Sequence, residues 1–249
     1  MRFHCLGTTG YHPNDRRQTA CYFLPEAGLM LDAGSGLYRM LPLIETETLD
    51  IFLSHAHLDH IVGLTYLLGI LHKRPVERLR IWGEPPKLAA VREHLFDPLI
   101  FPVPLEAEWC PLAAGDRVEV GCGGRLEAFP LTHPGGSLGF HVAWPNGRSL
   151  AYVSDTVGDP AADYVDRIRG CGLLVHECYF RDEHHDWATR TGHTWTTRAA
   201  QVAVAAEAER LLLIHMNPFE VGDDPVGIES AQKIFPHTTI AEDGMVLEV

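Results

Sequence analysis

The sequence predicts an α/β protein (α+β by some schemes) in which two mixed sheets pack face to face with helices outside. Three observations predict this class. Strand-like apolar runs recur in both halves of the chain, helical segments punctuate them, and residues 105–153 alternate apolar and polar positions between glycine-rich turns. The 249 residues, of which 46% are hydrophobic, can bury a full core, so we expect a single domain over residues 1–249.

The first half of the chain alternates short strands with helices. The sequence DAGSG reads as a loop whose glycines free the backbone, and IVGLTYLLGILHK has a helical spacing of Leu and Ile that ends before Pro75. A proline opens the next helix, PPKLAAVREHLF. Predicted strands cover residues 2–6, 20–25, 28–32, 49–53 and 79–83, and predicted helices cover the stretch from 37 to about 44, then 61–73 and 85–96.

The second half begins with the period-two segment 105–153, which reads as an antiparallel meander of RVEV, RLEAFPLTH, LGFHVAW and SLAYVSD. TTRAAQVAVAAEA is the strongest helical pattern of this half. The remaining elements are strands at 172–177 and 210–215, helices near 160–168 and 226–234, and short strands at the end of the chain.

Composition limits the partners. The formal net charge of −13 argues against an extended nucleic-acid surface, since phosphate contacts need clustered Lys and Arg. Two bound divalent ions would invert that sign locally. No apolar run is long enough for a transmembrane helix, and the N-terminus is too polar for a signal peptide. The six cysteines form no CxxC pair, which indicates reduced thiols in a cytoplasmic protein without a membrane partner.

A cluster of potential metal ligands, SHAHLDH, follows the apolar run LDIFL. In an extended loop His55 and His57 point the same way and can chelate one ion. Asp59 and His60 fall where the next helix begins, turned towards a second position. A carboxylate there is also typical of helix capping, but capping explains Asp59 alone and leaves three histidines without a reason. We therefore predict a metal site.

Three later strands also end in a ligand residue. PLTH ends at His133, AYVSD at Asp155 and LLLIH at His215. The carboxyl ends of several strands converge on one rim, where open α/β sites are built. Imidazole and carboxylate donors suit zinc, manganese or iron, of which we expect zinc. The predicted site holds two divalent ions that share Asp155, and its ligands are His55, His57, Asp59, His60, His133, Asp155 and His215.

HAHLDH matches the HxHxDH motif of the metallo-β-lactamase superfamily, and His133, Asp155 (in SDT) and His215 follow in the order of that family. The resemblance covers essentially the whole chain, from LGTTG near its start to EDGMVLEV at its end. It implies a four-layer αββα sandwich and a two-metal hydrolase site. The fold alone does not name the substrate.

Two further motifs, HECYF and GHTW, resemble the HE and GH(S/T) motifs of the ribonuclease Z-like branch. This resemblance implies that Glu177 and His193 form a catalytic pair near the metals. An imidazolium held by a carboxylate can protonate the alkoxide that phosphodiester cleavage expels. The alternative is that Glu177 pairs with Arg181 or Arg190, and that His193 caps a helix starting at Thr194.

Transfer-RNA processing members carry a long arm between the equivalents of His133 and Asp155, whereas residues 134–154 have room only for two strands and a turn. The chain looks more like compact relatives that act on small phosphodiesters. We expect a phosphodiesterase in which a metal-bound hydroxide attacks phosphorus, with Asp59 as a ligand and a partner of that hydroxide. The expected substrate is a cyclic nucleotide, a cyclic phosphate or a short oligonucleotide. Alternatives are a thioester or lactone hydrolase of the same fold, a ribonuclease Z-type endoribonuclease and a non-catalytic binding protein.

Substrate contacts are less specific in the sequence. Loops 7–17 and 181–192 are expected to wall the pocket. Relatives are often dimers, and the apolar helix 59–71 is a candidate for a homodimer interface or for the core. Tyr11 and Trp187 are candidates for base stacking or for ordinary packing, and the candidates for holding a second phosphate are Arg16, Arg17, Arg181 and Arg190.

Overall fold

The computed structural model describes residues 1–249, which divide into two compact units. The first unit comprises residues 1–113, 120–122 and 242–248, and the second comprises 114–119, 123–241 and 249. Each unit is built around one seven-stranded mixed sheet with its own hydrophobic core.

The sheet of the first unit contains seven strands, which are β1 (Arg2–Gly7), β2 (Cys21–Leu24), β3 (Leu29–Ala33), β4 (Thr48–Phe52), β5 (Arg78–Gly83), β6 (Glu108–Pro111) and β14 (Val246–Glu248). Their order is β14-β1-β2-β3-β4-β5-β6. Strands β14 to β3 pair antiparallel, and β3 to β6 pair in parallel. Strand β3 is buried along its whole length, as is β4 after its first residue, which explains their continuous apolar sequences.

The period-two segment 105–153 also contains β6, a strand of the first sheet that is not among the predicted meander strands. β6 pairs in parallel with β5, and Trp109 lies opposite Ile81. The Trp109 ring also meets Phe96 edge to face, with ring centroids 6.4 Å apart. Packing into the core of the first unit therefore decides the partner of this strand, which period-two alternation alone cannot do.

Helical segments of the first unit are short. The predicted continuous helix 61–73 is divided into a 3-10 segment and a short α-helix. Within the 3-10 segment the position of Gly63 requires glycine, because a Cβ atom there would lie only 2.2 Å from the carbonyl oxygen of Gly34. Leu64 and Leu67 are buried in the core, while Leu68 is 47% exposed. The helices are α1 (Leu58–Ile61), α2 (Leu67–Lys73) and α3 (Pro85–Ala90), with 3-10 segments at Pro25–Ala27, Ser35–Leu43 and Val62–Tyr66 and a π-helical turn at Val91–Leu95.

The second sheet contains β7 (Arg117–Val120), β8 (Gly124–Leu131), β9 (Ser137–Ala143), β10 (Ser149–Val153), β11 (Leu173–Glu177), β12 (Leu211–Ile214) and β13 (Thr238–Ile240). Their order is β13-β12-β11-β10-β9-β8-β7. The antiparallel meander is confirmed for β8, β9 and β10, and β10 to β13 pair in parallel. Between His133 and Asp155 the chain forms only β9, a turn and β10, as predicted.

The helices of the second unit pack with β8, β11 and β12 around a core that includes Phe129, whose ring stacks on Tyr164. Residues 181–192, expected to be a loop, form a 3-10 turn at Asp182–His184 and then a helix that ends at Gly192. None of the helices in either unit is long and apolar enough to cross a membrane. The helices are α4 (Tyr164–Arg167), α5 (His185–Thr191), α6 (Thr196–Ala205) and α7 (Ile228–Ile234). A further 3-10 turn lies at Gly121–Gly123, whose first two residues belong to the first unit.

Candidate metal centre

The loop after β4 brings the first group of predicted ligands together. The ring of His55 lies 4.3 Å from that of His57 and 4.2 Å from that of His60, measured between centroids. His55 and His60 are buried, while His57 is exposed. The Nε2 atom of His60 lies 3.4 Å from Oδ2 of Asp59. Four potential donors of the first unit are thus close together.

A buried carboxylate that sequence reasoning missed orients two of these histidines. Asp32 is fully buried at the end of β3, and its Oδ2 accepts a hydrogen bond from His60 Nδ1 at 2.8 Å and from the Ser54 hydroxyl at 2.7 Å. The Ser54 backbone N–H donates to Oδ1 of the same carboxylate. Because the Ser54 hydroxyl donates its hydrogen to Asp32, its oxygen accepts a hydrogen bond from His55 Nδ1 at 3.0 Å.

This network fixes the tautomer of both imidazoles. Because Nδ1 of His55 and Nδ1 of His60 carry the protons, the lone pair of each ring is on Nε2. Buried partners of this kind orient the ligands of metal sites and raise their basicity. Asp32 and Ser54 therefore support the two histidines as metal ligands.

We expect Asp32→Ala to weaken metal binding by about 10–100-fold, because His55 and His60 would lose the partners that hold their Nε2 atoms in place. Competition with a chromophoric chelator measures this affinity. Asp50→Ala is a matched control, since Asp50 is a buried carboxylate of the same unit that pairs with Arg80 and Trp82. Equal affinity losses in the two variants would indicate general destabilisation and contradict the role of Asp32.

The second unit brings together three more predicted ligands, each one or two residues past the end of a strand. Oδ1 of Asp155 lies 3.3 Å from Nε2 of His215, and Oδ2 lies 3.6 Å from Nε2 of His133. The two carboxylate oxygens thus face two different imidazoles. His133 donates from Nδ1 to the carbonyl oxygen of Gly192 at 2.9 Å, which leaves its lone pair on Nε2. Burial lowers the pKa of His133, which favours the neutral ring that a metal ligand needs.

Donor spacing fits divalent ions. Two ligand atoms that lie about 2.0–2.1 Å from one tetrahedral zinc ion are about 3.3–3.4 Å apart. The separations of 3.4 Å between His60 and Asp59 and of 3.3 Å between His215 and Asp155 match this value. The same separations are longer than a good charge-assisted hydrogen bond. The side chains therefore suit metal coordination better than direct ion pairing.

Glu177 and His193 form a hydrogen-bonded pair beside these ligands. Nδ1 of His193 lies 3.0 Å from Oε1 of Glu177, whose side chain is fully buried. The carboxylate also accepts the backbone N–H groups of Thr156 and Tyr179, at 3.0 and 3.1 Å. Because Nδ1 of His193 donates to Glu177, its Nε2 is the nitrogen left for a substrate, an ion or a water.

The alternative partners weighed from the sequence are engaged elsewhere. Arg181 donates to the carbonyl oxygens of Pro225 and Asp224, and the guanidinium of Arg190 lies 5.8 Å from the ring centroid of Trp187. The helix after His193 begins at Thr196, with Trp195 at its N-cap. The structure thus pairs Glu177 with His193, and His193 does not cap a helix.

Backbone strain is concentrated near these side chains. Five non-glycine residues have φ in the left-handed region, and three of them are Tyr11, Asp32 and His215, with φ of 60°, 55° and 56°. Such conformations cost about 1–3 kcal/mol each and occur preferentially at functional sites. Strain at Asp32 and His215 accompanies exact placement of side chains, which is typical of an active site.

A family profile for the β-lactamase superfamily domain matches residues 29–216. The chain belongs to the metallo-β-lactamase superfamily. Ribonuclease Z of Archaeoglobus fulgidus is 26% identical over 299 aligned residues, which cover 98% of this chain and 96% of the relative. This similarity places the chain in the ribonuclease Z-like branch, as predicted.

Two solved structures share the metallo-β-lactamase fold of this chain. The metallo-β-lactamase fold protein YhfI from Bacillus subtilis has a TM-score of 0.80 at 20% identity, covering 99% of this chain and 98% of its own. The short form of human tRNase Z has a TM-score of 0.74 at 23% identity, and the match covers 100% of this chain and 99% of the human chain. The predicted fold class is therefore confirmed.

Membership in this superfamily makes the protein a hydrolase. Together with the clustered histidines and aspartates, it also implies divalent metal ions. In the second unit the donor atoms of Asp155, His193 and His215 all lie within 4.8 Å of one another. His193 is thus close enough to the ligands to serve a metal-dependent reaction.

Proposed function

We propose that the protein is a dinuclear metal-dependent phosphodiesterase. The ions, which we expect to be zinc, would be held by the two ligand groups described above, with Asp155 as the shared ligand. Its two oxygens face different imidazoles, which supports this assignment. Two bound ions would supply Lewis acidity towards the phosphate oxygens and a water of lowered pKa. Asp59, whose Oδ2 accepts the Tyr11 N–H at 2.7 Å and lies 3.4 Å from Nε2 of His60, would be both a metal ligand and a hydrogen-bond partner of that water.

The hydrogen bond between Glu177 and His193 is the observation that carries the phosphodiester assignment. Cleavage of an alkyl phosphodiester expels an alkoxide, which needs a proton in the transition state. An imidazolium whose Nδ1–H is held by Glu177 presents its Nε2–H to such a leaving group. A thioester hydrolase expels a thiolate, which needs little help from an acid. The buried carboxylate and its three hydrogen bonds are therefore better explained by a poor leaving group.

The compactness of the chain supports a small substrate. The alignment with Ribonuclease Z of Archaeoglobus fulgidus has 299 positions, so at least 50 of them have no counterpart among the 249 residues here. Only β9, β10 and a turn lie between His133 and Asp155. With a net charge of −13, this favours a cyclic nucleotide, a cyclic phosphate or a short oligonucleotide over a large folded RNA.

We expect zinc- or manganese-loaded protein to hydrolyse bis(p-nitrophenyl) phosphate and to leave p-nitrophenyl acetate and an acyl thioester essentially untouched. The reason is that two ions in one site would stabilise the attacking and leaving oxygens of an in-line displacement at phosphorus, whereas attack on an acyl carbonyl is not an in-line displacement. Initial rates with the three substrates, before and after metal removal by a chelator, make the comparison. Turnover confined to the acyl substrates would sink the proposal and favour a thioester or lactone hydrolase.

A ribonuclease Z-type endoribonuclease is the second candidate function. The similarity to proteins named Ribonuclease Z over nearly the whole chain favours it. A transfer-RNA precursor with a 3′ trailer, incubated beside a dinucleotide, separates the two. Cleavage of the precursor at a single position with slow dinucleotide hydrolysis would support the endoribonuclease, and the opposite pattern would support the small-substrate enzyme.

A further inference from the structure

The segment Thr8–Arg17 forms a closed loop of the first unit that touches a predicted metal ligand. Its Tyr11 donates its backbone N–H to Oδ2 of Asp59 at 2.7 Å. Tyr11 therefore sits directly beside the carboxylate, yet its residue surface is 66% exposed. A tyrosine whose backbone is hydrogen-bonded to a predicted metal ligand and whose side chain is open to solvent is placed to meet a bound substrate.

Hydrogen bonds of a buried arginine and of the backbone close this loop. The Arg17 side chain is 2% exposed and donates to the Thr8 hydroxyl and to Glu242, both at 2.7 Å. The Asn14 side chain accepts the backbone N–H of Arg17, and the Thr9 N–H donates to the Gln18 carbonyl oxygen. A loop closed in this way loses little further entropy when a ligand contacts its tip.

The conformation of Tyr11 is strained while its ring is not packed. Its φ of 60° lies in the left-handed region, where a tyrosine is rare. The Tyr11 ring contacts the ring of its chain neighbour His12, with centroids 5.0 Å apart and planes tilted by 58°. Core packing therefore does not account for an aromatic residue here, and an outlier of this kind points to a functional constraint.

We propose that Tyr11 is a stacking platform for a nucleobase of the substrate. The inference rests on the proposed phosphodiesterase function and narrows its substrate class to nucleoside-bearing phosphodiesters. Among the expected small substrates, nucleotides carry a flat aromatic base on the same sugar that bears the phosphate. Base–aromatic stacking tolerates every base, so this contact selects nucleotides without reading sequence. The hydrogen bond to Asp59 would keep the backbone of Tyr11 beside the predicted metal ligands when a phosphate binds there.

Two substrates with one leaving group test this. Thymidine 5′-(p-nitrophenyl) phosphate and methyl p-nitrophenyl phosphate both release nitrophenolate, and only the first carries a base. We expect Tyr11→Ala to lower kcat/KM for the thymidine diester by about 10-fold, mainly through KM, and to leave the methyl diester within about 2-fold. Tyr11→Phe should retain the native preference. Tyr38→Ala, which removes another exposed tyrosine of the first unit, is the control.

Binding of thymidine 5′-monophosphate and of methyl phosphate, measured by calorimetry on the same metal-loaded variants, gives a readout that does not need turnover. Selective weakening of the nucleotide by Tyr11→Ala, restored by Tyr11→Phe, supports the platform. Equal losses of affinity for both ligands, or no loss for either, overturn it. If the native protein hydrolyses neither diester, the proposed function fails, and the nucleotide titration still decides the role of Tyr11.

Discussion

Asp155→Ala is expected to abolish activity and to remove metal at the same time. The two oxygens of Asp155 lie 3.3 and 3.6 Å from the Nε2 atoms of His215 and His133. One substitution therefore removes a candidate metal-ligating oxygen beside each of these imidazoles. Loss of a supporting hydrogen bond around a metal ligand costs about 10–100-fold in affinity. Loss of a shared ligand should exceed this range for at least one of the two ions.

Metal content by mass spectrometry, read beside the initial rate, checks this prediction. Asp166→Ala is the matched control, because Asp166 is an exposed carboxylate of the same unit that pairs with Arg169. Thermal unfolding in the presence of chelator separates metal loss from misfolding, since it compares the metal-free states of the two variants. A full complement of two ions in Asp155→Ala would contradict the bridging assignment, even if activity were lost.

The convergence of the candidate ligands within the second unit could be predicted from sequence because their signal is local. His133, Asp155 and His215 each follow an apolar strand by one or two residues, and a pattern of this kind needs no knowledge of which strands are neighbours. The same locality explains why the meander β8–β10 was predictable. Its alternation and its turns lie within one continuous stretch of sequence.

Asp32 could not be found in the same way because its role depends on strand pairing. β3 lies parallel to β4 with Leu31 opposite Phe52, and this register brings Asp32 beside Ser54, 22 positions later in the chain. The available signal was an acidic residue at the end of a fully apolar strand, immediately before AGSG. A buried carboxylate needs partners, so such a residue predicts a polar network without naming its members.

Tertiary packing also decided the helical segments that the sequence mispredicted. The spacing of Leu and Ile over residues 61–73 is helical, but the segment is divided at a 3-10 stretch in which Gly63 packs closely against the backbone of Gly34. In the opposite direction, residues 181–192 are rich in charge and lack an apolar stripe, yet they form a short helix that ends at Gly192 with φ of 80°. That end matters for the site, because the Gly192 carbonyl oxygen holds His133.

His193→Ala is expected to keep the bound metal. Its rate of hydrolysis should fall more for substrates with a more basic leaving group, which depends more on protonation. With a dinucleotide, which expels an alkoxide, the loss should be about 10²–10⁴-fold, the usual range for a general acid. With bis(p-nitrophenyl) phosphate, whose nitrophenolate leaves unassisted, it should stay below about 10-fold. His237→Ala, an exposed histidine of the same unit, controls for the loss of an imidazole.

Glu177→Gln extends this test, because Glu177 acts only through the imidazole that it holds at 3.0 Å. The double variant should be no slower than His193→Ala alone, since the effects of two residues that work as one unit are not additive.

The close spacing of His193, Asp155 and His215 allows a rival role, in which His193 is itself a ligand. Metal analysis decides between the two roles. Loss of an ion from His193→Ala, with equal rate losses on both substrates, would make His193 a ligand and remove the general acid from the mechanism.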